Sequence, residues 1–431
     1  MKTVYTCFTT DVIHQGHRSL IRQARKYGEV TVGVLSDEAM VCFDRFPTIS
    51  FPERVALAES LEGVDRVVVQ NRILYDDIIR DLRPDYVIHG DNWCSGPMKA
   101  VRDNVEALLA AYGGRVVDVP YTYSEETMRT DRRMRERAAM PEYRRKRLRQ
   151  LLKLRPAVKA IEVHSGLTGL IAEKTVIENG GVFDQFDAMW ISSLCDSTAK
   201  GKPDIELVDM TSRLRTVDEV MEVTTKPIIL DGDTGGLAEH FMYNVRTLER
   251  MGISAVIIED KKGLKKNSLL GAQAEQTQEE IERFSEKIRA GKRAQLTDDF
   301  MIIARIESLI LERGMEDALR RAEAFTQAGA DGIMIHSRKR DPAEIFEFCG
   351  RFRARDGATP LVAVPSSYDA VTEEELAAHG VNLVIYANQL TRSAFPAMQR
   401  TAEEILRFHR AREADSRLMP LKDIITLIDQ L

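Results

Sequence analysis

From about residue 155 onward one pattern recurs along the chain: a short apolar run, a polar residue at its carboxyl end, then an amphipathic segment of helix length. Eight such runs are present: Val158 to Val163, Phe186 to Ile191, Pro227 to Leu230, Ile253 to Ile258, Phe300 to Ala304, Gly332 to Ile335, Leu361 to Val364 and Val381 to Tyr386. They are rich in β-branched residues and too short for helices, which predicts strands buried on both faces. The residues ending them are His164, Ser192, Asp231 with Asp233, Glu259 with Asp260, Arg305 with Glu307, His336, Ser366 and Asn388. Eight strands alternating with helices, with polar groups gathered at the carboxyl ends, predict a (β/α)8 barrel over residues 155–431.

Residues 1–128 alternate in the same way without a closing count. Strands are expected at Lys2 to Phe8, Val30 to Leu35, Val64 to Val69, Tyr86 to Ile88 and Arg115 to Val119, with helices from His17, Pro52 and Met98. This predicts an α/β, doubly wound, Rossmann-like sheet. Its first strand runs into Thr9-Thr10-Asp11-Val12-Ile13-His14-Gln15-Gly16-His17. Glycine lets the backbone approach a phosphate, and a helix amino terminus with two imidazoles supplies donors to negative charge. Between the domains, residues 129–154 carry Arg132, Arg133, Arg135, Arg137, Arg144, Arg145, Arg147 and Arg149. A helical connector with a solvated cationic face is the expectation there, ahead of a nucleic-acid patch.

The most concentrated chemistry lies in Glu259-Asp260-Lys261-Lys262-Gly263-Leu264-Lys265-Lys266-Asn267-Ser268, directly behind a buried run. Carboxylates at a strand end followed by a basic, glycine-hinged loop read as an active site with its own lid over an anionic substrate. Asp231, Asp233, Glu259 and Asp204 are suited to hold Mg²⁺ directly or through its retained waters.

These residues carry two resemblances. The barrel resembles the phosphoenolpyruvate mutase branch of the isocitrate lyase superfamily through Trp190-Ile191-Ser192-Ser193-Leu194, Leu230-Asp231-Gly232-Asp233-Thr234-Gly235, the lid, Ala304-Arg305-Ile306-Glu307 and Met334-Ile335-His336-Ser337. That resemblance implies Asp231 as a direct Mg²⁺ ligand, Asp204 farther out, and Arg305 and His336 on the phosphoryl group. It further implies Asn267 stabilising that group in flight, Lys265 closing the lid, and Trp190, Ser192, Leu194 and Ser268 at the substrate. The carbon to carbon lyases of the superfamily place a cysteine in the lid where this chain has Lys265-Lys266-Asn267-Ser268, which points to phosphorus chemistry.

The first domain resembles the cytidylyltransferases through the histidine motif, Gly33 to Glu38, Glu53-Arg54 and Val87-Ile88-His89-Gly90-Asp91-Asn92-Trp93. It implies CTP as co-substrate, with Thr9, Thr10, His14, Gly16, His17, His89 and Asp91 at the nucleotide and both histidines catalytic. Asp44 stands where that family has a lysine, and its serine and threonine motif is kept only loosely in residues 121–127. The pair of domains resembles the bifunctional enzymes of fosfomycin biosynthesis, implying phosphoenolpyruvate, phosphonopyruvate and 2-hydroxyethylphosphonate as substrates.

A net charge of −6 leaves no global nucleic-acid footprint. Five scattered cysteines without a CxxC pair predict reduced thiols and no zinc site. No apolar run reaches spanning length and the amino terminus is unlike a signal peptide, so a cytoplasmic protein with no membrane contact is expected. By resemblance, its amphipathic carboxyl-terminal helices exchange between subunits of a homo-oligomer, a dimer or tetramer.

Overall fold

The computed structural model describes residues 2–41, 46–94, 98–120, 129, 132–133, 136–179, 182–268 and 276–428. The first sheet is parallel throughout and contains β1 (Thr3–Phe8), β2 (Glu29–Leu35), β3 (Arg66–Gln70), β4 (Tyr86–Gly90) and β5 (Arg115–Val119), in the order β3-β2-β1-β4-β5. Alternate residues of β1 feed two cores. Val4 and Phe8 pack with Val30, Val32 and Ile88 on one face, and Tyr5 packs with Val87, Trp93 and Val105 on the other. A period of two with both faces covered is what a doubly wound sheet requires. The strand order reverses between β1 and β4, and ligands of such sheets bind in the crevice at that point.

All eight expected runs form the barrel: β6 (Val158–Val163), β9 (Ala188–Ile191), β10 (Ile228–Asp231), β11 (Ala255–Glu259), β12 (Met301–Ile306), β13 (Gly332–Ile335), β14 (Leu361–Ala363) and β15 (Leu383–Tyr386) close into one ring. A two-stranded antiparallel hairpin, β7 (Val176–Asn179) with β8 (Val182–Gln185), is inserted between β6 and β9. The sequence pattern did not predict it. Its few residues carry too little periodicity to separate a hairpin from a loop.

The interior of the barrel is filled by Val158, Ala160, Trp190, Ile229, Ile257, Ile303, Met334 and Ile385. The alternate residues, among them Ile161, Ile191, Leu230, Ile258 and Ile335, meet the surrounding helices. Leu148 and Leu151 of helix Pro141–Leu154 join the interior cluster and plug the floor.

This helix corrects the expected solvated cationic face. Arg144 and Arg147 are buried, and the guanidiniums of Arg144, Arg145 and Arg147 donate to the carbonyls of Thr224, Glu249 and Thr225. Arg149 donates to Asp299 O and pairs with Asp331 at 2.7 Å. These carbonyls lie in the turns that feed the strands from below, where helix ends leave acceptors without intrahelical partners. Burial, with the charge of Arg147 adding to it, lowers Arg144 to about 10. The arginines are therefore structural ligands of the barrel floor.

At the other extreme, helix Gln389–Phe408 buries none of its side chains, and Phe395, Met398 and Leu406 are all exposed. Among the described residues no helix is long and apolar enough to cross a membrane, and Cys7, Cys94, Cys195 and Cys349 are free thiols.

Candidate active sites

The carboxyl ends of the barrel strands enclose a cleft lined by Trp190, Ser192, Leu194, Asp204, Asp231, Glu259, Lys265, Asn267, Ser268, Arg305 and His336, together with Ser193, Lys261, Ser366 and Asn388. Asp233 stands at its rim with φ 53°. The DxD turn needs this left-handed step so that the Asp233 N–H can reach Asp231 Oδ1 at 3.2 Å. Gly232 is tightly placed, since a Cβ there would lie 2.7 Å from Val256 Cγ2.

Asp231 accepts from Ser193 twice, from Oγ at 2.7 Å and from the backbone N–H at 3.2 Å. Burial works to raise its carboxyl, but the charges of Lys265, Arg213 and Arg305 hold it well below the usual carboxylate range. Arg213, fully buried on helix Met210–Met221, donates to Asp233 Oδ2 at 2.7 Å from behind.

The lid is buried at alternate points: Lys262, Gly263, Leu264 and Lys266 are exposed, whereas Lys261, Lys265 and Ser268 are buried. Lys265 is 3% exposed. Its ammonium donates to Ser193 Oγ at 2.6 Å and lies 2.6 Å from Asp233 Oδ1 and 3.1 Å from Asp204 Oδ1. Burial opposes that charge, yet Asp233, Asp231, Glu259 and Asp204 together keep it well above the ordinary lysine value. Asn267 Nδ2 donates to Asp204 Oδ2 at 2.7 Å.

Lys261, also buried, donates to Ser268 Oγ at 2.6 Å and to Lys266 O at 2.9 Å. Below this, Arg305 Nε donates to Glu307 Oε1 and its Nη2 to Ser268 Oγ, both at 2.6 Å, and the Ser268 hydroxyl in turn donates to Glu307 Oε2. The strand-end carboxylate Asp260 faces away, held by Arg321 and Gln278, and burial raises it to about 7.

His336 is buried with Nδ1 lacking a hydrogen-bond partner. Burial, reinforced by the Arg305 charge, lowers it to about 3, so the imidazole is neutral near pH 7. His164, expected among the converging ends, instead binds Glu162 and Thr391 and does not line the cleft.

Asp204 Oδ1, Asp233 Oδ1 and Glu259 Oε1 are buried carboxylate oxygens met by lysine ammonium groups, Lys265 at 3.1 and 2.6 Å and Lys261 at 3.4 Å. Carboxylate oxygens in that condition suit a hard cation. Among the described residues no three such side chains close round one point, so a cation held here would keep several waters, as Mg²⁺ does.

Sequence reading named neither Ser193, Lys261 nor Arg213 as functional. The first two stand inside quoted motifs and were legible there. Arg213 had no signal, because it meets Asp233 only through the packing of a helix.

The amino-terminal motifs meet at the sheet's reversal point. Helix Gln15–Ala24 starts two residues before the expected His17, with His14 as its N-cap. His14 Nδ1 accepts from Gly16 N–H at 3.1 Å, and His17 Nδ1 accepts from His14 N–H at 3.3 Å. The two imidazoles thus form a reciprocal capping box, with ring centres 3.9 Å apart. With Nδ1 accepting, each neutral ring carries its proton on Nε2. A Cβ on Gly16 would lie 2.8 Å from His14 Cε1, so only glycine fits under that ring.

Thr10 adopts φ 55°, and Arg54, fully buried, donates to Thr9 O at 2.8 Å and to Leu35 O at 2.6 Å. Across the crevice His89 stacks on Trp93 at 4.1 Å and bonds Gly90 O, and burial lowers its pKa. Asp91 opens the turn Asp91–Trp93 and is exposed. Asp44, Arg135 and residues 121–127 lie outside the described residues.

The family model described as phosphoenolpyruvate phosphomutase matches residues 148–406, and one described as cytidylyltransferase-like matches residues 5–138. A phosphoenolpyruvate phosphomutase of Streptomyces hygroscopicus is 36% identical over 288 residues, 66% of this chain and 87% of the relative. The crystal structure of a phosphoenolpyruvate phosphomutase from Streptomyces platensis subsp. rosaceus superposes with a TM-score of 0.60 at 35% identity, covering 65% of this chain and 93% of that one. A phosphonopyruvate hydrolase in complex with oxalate and Mg²⁺ gives 0.58 at 34% identity, covering 66% and 94%.

Proposed function

Because this chain belongs to the phosphoenolpyruvate phosphomutase family and carries a cytidylyltransferase-like domain, we propose that its barrel interconverts phosphoenolpyruvate and phosphonopyruvate while its first domain transfers CMP from CTP to 2-hydroxyethylphosphonate. The observation that carries the barrel reading is the position of Asn267, a half-buried lid amide bonded to Asp204, where a lyase would need a thiol. Asp231, Asp233, Glu259 and Asp204 would hold Mg²⁺. Bound there, it would stabilise the enolate oxygen of pyruvate.

The chain's own groups do the rest. Trp190, Ser192 and Leu194 bind and orient the carboxylate end of the substrate. Neutral His336 and the Arg305 guanidinium hold the phosphoryl group, and Asn267 donates to it as it passes from oxygen to carbon. Lys265, already buried, excludes water from the closed cleft. At the other site the Nε2–H groups of His14 and His17 donate to the α-phosphoryl oxygens as negative charge develops in attack on CTP. Thr9, Thr10, Gly16, His89 and Asp91 surround the nucleotide.

A phosphonopyruvate hydrolase is the second reading, favoured by the near-equal likeness to the hydrolase structure. Phosphorus NMR separates the two. Phosphonopyruvate with Mg²⁺ should give phosphoenolpyruvate; inorganic phosphate instead would make the barrel a hydrolase. If CTP with 2-hydroxyethylphosphonate gives no pyrophosphate, the first domain is a nucleotide-sensing or assembly module.

Membership of the fosfomycin route rests on the pairing of domains. We divide the chain at 1–128, 129–154 and 155–431, with helix Pro141–Leu154 serving the barrel floor. The bare apolar side of helix Gln389–Phe408 supports a homo-oligomer built on a second copy of this chain, which sedimentation would detect.

A further inference from the structure

The helix that plugs the barrel also touches the other domain. Val41, the last residue of helix Asp37–Val41, is buried in the floor cluster with Leu148 and Leu151, and Phe46 packs against the same cluster. The Arg147 guanidinium lies 4.6 Å from the centre of the Phe46 ring and is itself fixed by the Thr225 carbonyl beneath β10. Just beyond Phe46 the chain turns to the histidine loop. Thr48 donates to the Asp11 carboxylate from its N–H and its hydroxyl, each at 2.8 Å, and the Ile49 N–H donates at 3.3 Å. Asp11 is buried and stands three residues before His14, in the same turn.

We propose that the barrel floor positions the amino-terminal active loop, Arg147 seating Phe46 and Phe46 seating the Thr48–Ile49 donors that hold Asp11, and with it His14 and His17. One residue, Pro47, separates Phe46 from the first donor, so the chain between them has no length in which to absorb a shift of Phe46. A carboxylate gripped by three donors from one segment transmits that shift to its own loop. Arg147 and Phe46 are positioning residues, since neither touches the histidines. The two activities then share one chain because the barrel is part of the framework of the first site. This inference rests on reading that loop as the site of nucleotidyl transfer.

The test uses the full chain with Phe46→Ala and Phe46→Tyr, the second keeping the ring over Arg147. Amide hydrogen exchange at Thr48, Ile49 and Gly16 should be about tenfold faster in Phe46→Ala and near wild type in Phe46→Tyr, with β1 amides unchanged. The kcat for pyrophosphate release from CTP and 2-hydroxyethylphosphonate should fall about tenfold in Phe46→Ala, the CTP Kd should stay within about twofold, and phosphonopyruvate turnover should not change. Unchanged exchange at Gly16 overturns the inference, as does faster exchange with an unchanged kcat. If wild-type protein releases no pyrophosphate, the nucleotidyl-transfer reading fails by itself, and the exchange at Gly16 alone decides whether the floor positions the loop.

Discussion

The Lys265 ammonium lies 2.6 Å from Asp233 Oδ1, inside the set of carboxylates that suits a divalent cation. A lysine of the lid and a metal ion therefore draw on the same oxygens. Lys265→Met should tighten Mn²⁺ binding about tenfold, because the carboxylates lose an internal counter-charge, while phosphonopyruvate turnover falls sharply. Titration of Mn²⁺ by electron paramagnetic resonance reads the first effect. Affinity equal to or below wild type would show that lysine and metal do not compete.

Asp231→Ala removes the carboxylate that Ser193 and Asp233 orient. Turnover of phosphonopyruvate should be abolished and CMP transfer retained, since the two sites occupy separate domains. Equal loss of both activities in a folded variant would sink the two-site reading.

Asn267→Cys should give no carbon to carbon lyase activity and should lower mutase activity by about 10²-fold, because a thiol is a weak donor to a phosphoryl oxygen. The readout is single-turnover phosphorus NMR. A near wild-type rate would take Asn267 out of the mechanism.

His17→Ala should reduce the kcat of CMP transfer by about 10²-fold to 10³-fold with little change in CTP affinity, if its Nε2–H stabilises charge that develops only in the transition state. The residue also accepts from His14 N–H at the helix end, so the helix cap should loosen as well. His17→Gln, which restores an acceptor there, would recover the cap; an equal recovery of rate would make capping the whole of its role.

His336 sets a pH dependence of stability in the metal-free protein. Its folded value of about 3 lies below the ordinary imidazole value, so between roughly pH 6.5 and 3 the unfolded chain binds the extra proton. Stability is therefore full above pH 6.5 and falls as the solution is acidified. From pH 7.5 to pH 5 this one group should cost about 2 kcal/mol, a loss that His336→Asn escapes. Urea midpoints of both proteins at the two pH values give the difference directly, and an identical pH slope would mean that His336 is charged in its pocket.

The sequence by itself determined both architectures, since buried β-branched runs spaced by amphipathic helices satisfy their backbone and their apolar faces together as parallel sheets covered by helices, and the count of eight with polar strand ends pointed to closure of the second. It also singled out the strand ends, because a polar group directly after a buried apolar run is placed where the mouth can use it, as Asp231, Glu259, Arg305 and His336 are. Local pattern carries that information, as it carries the histidine turn after β1. Tertiary structure alone decided where the lysines and arginines went. Read along the chain, Arg144 and Arg147 are solvated charges and Lys261 and Lys265 belong to a lid over the substrate, and each is buried in the fold. Their partners, Glu307, Asp233, Thr224 O and Thr225 O, come from other elements of the barrel. A long cationic side chain is buried only where acceptors converge on it from several segments, and that convergence exists in three dimensions and not in the order of residues.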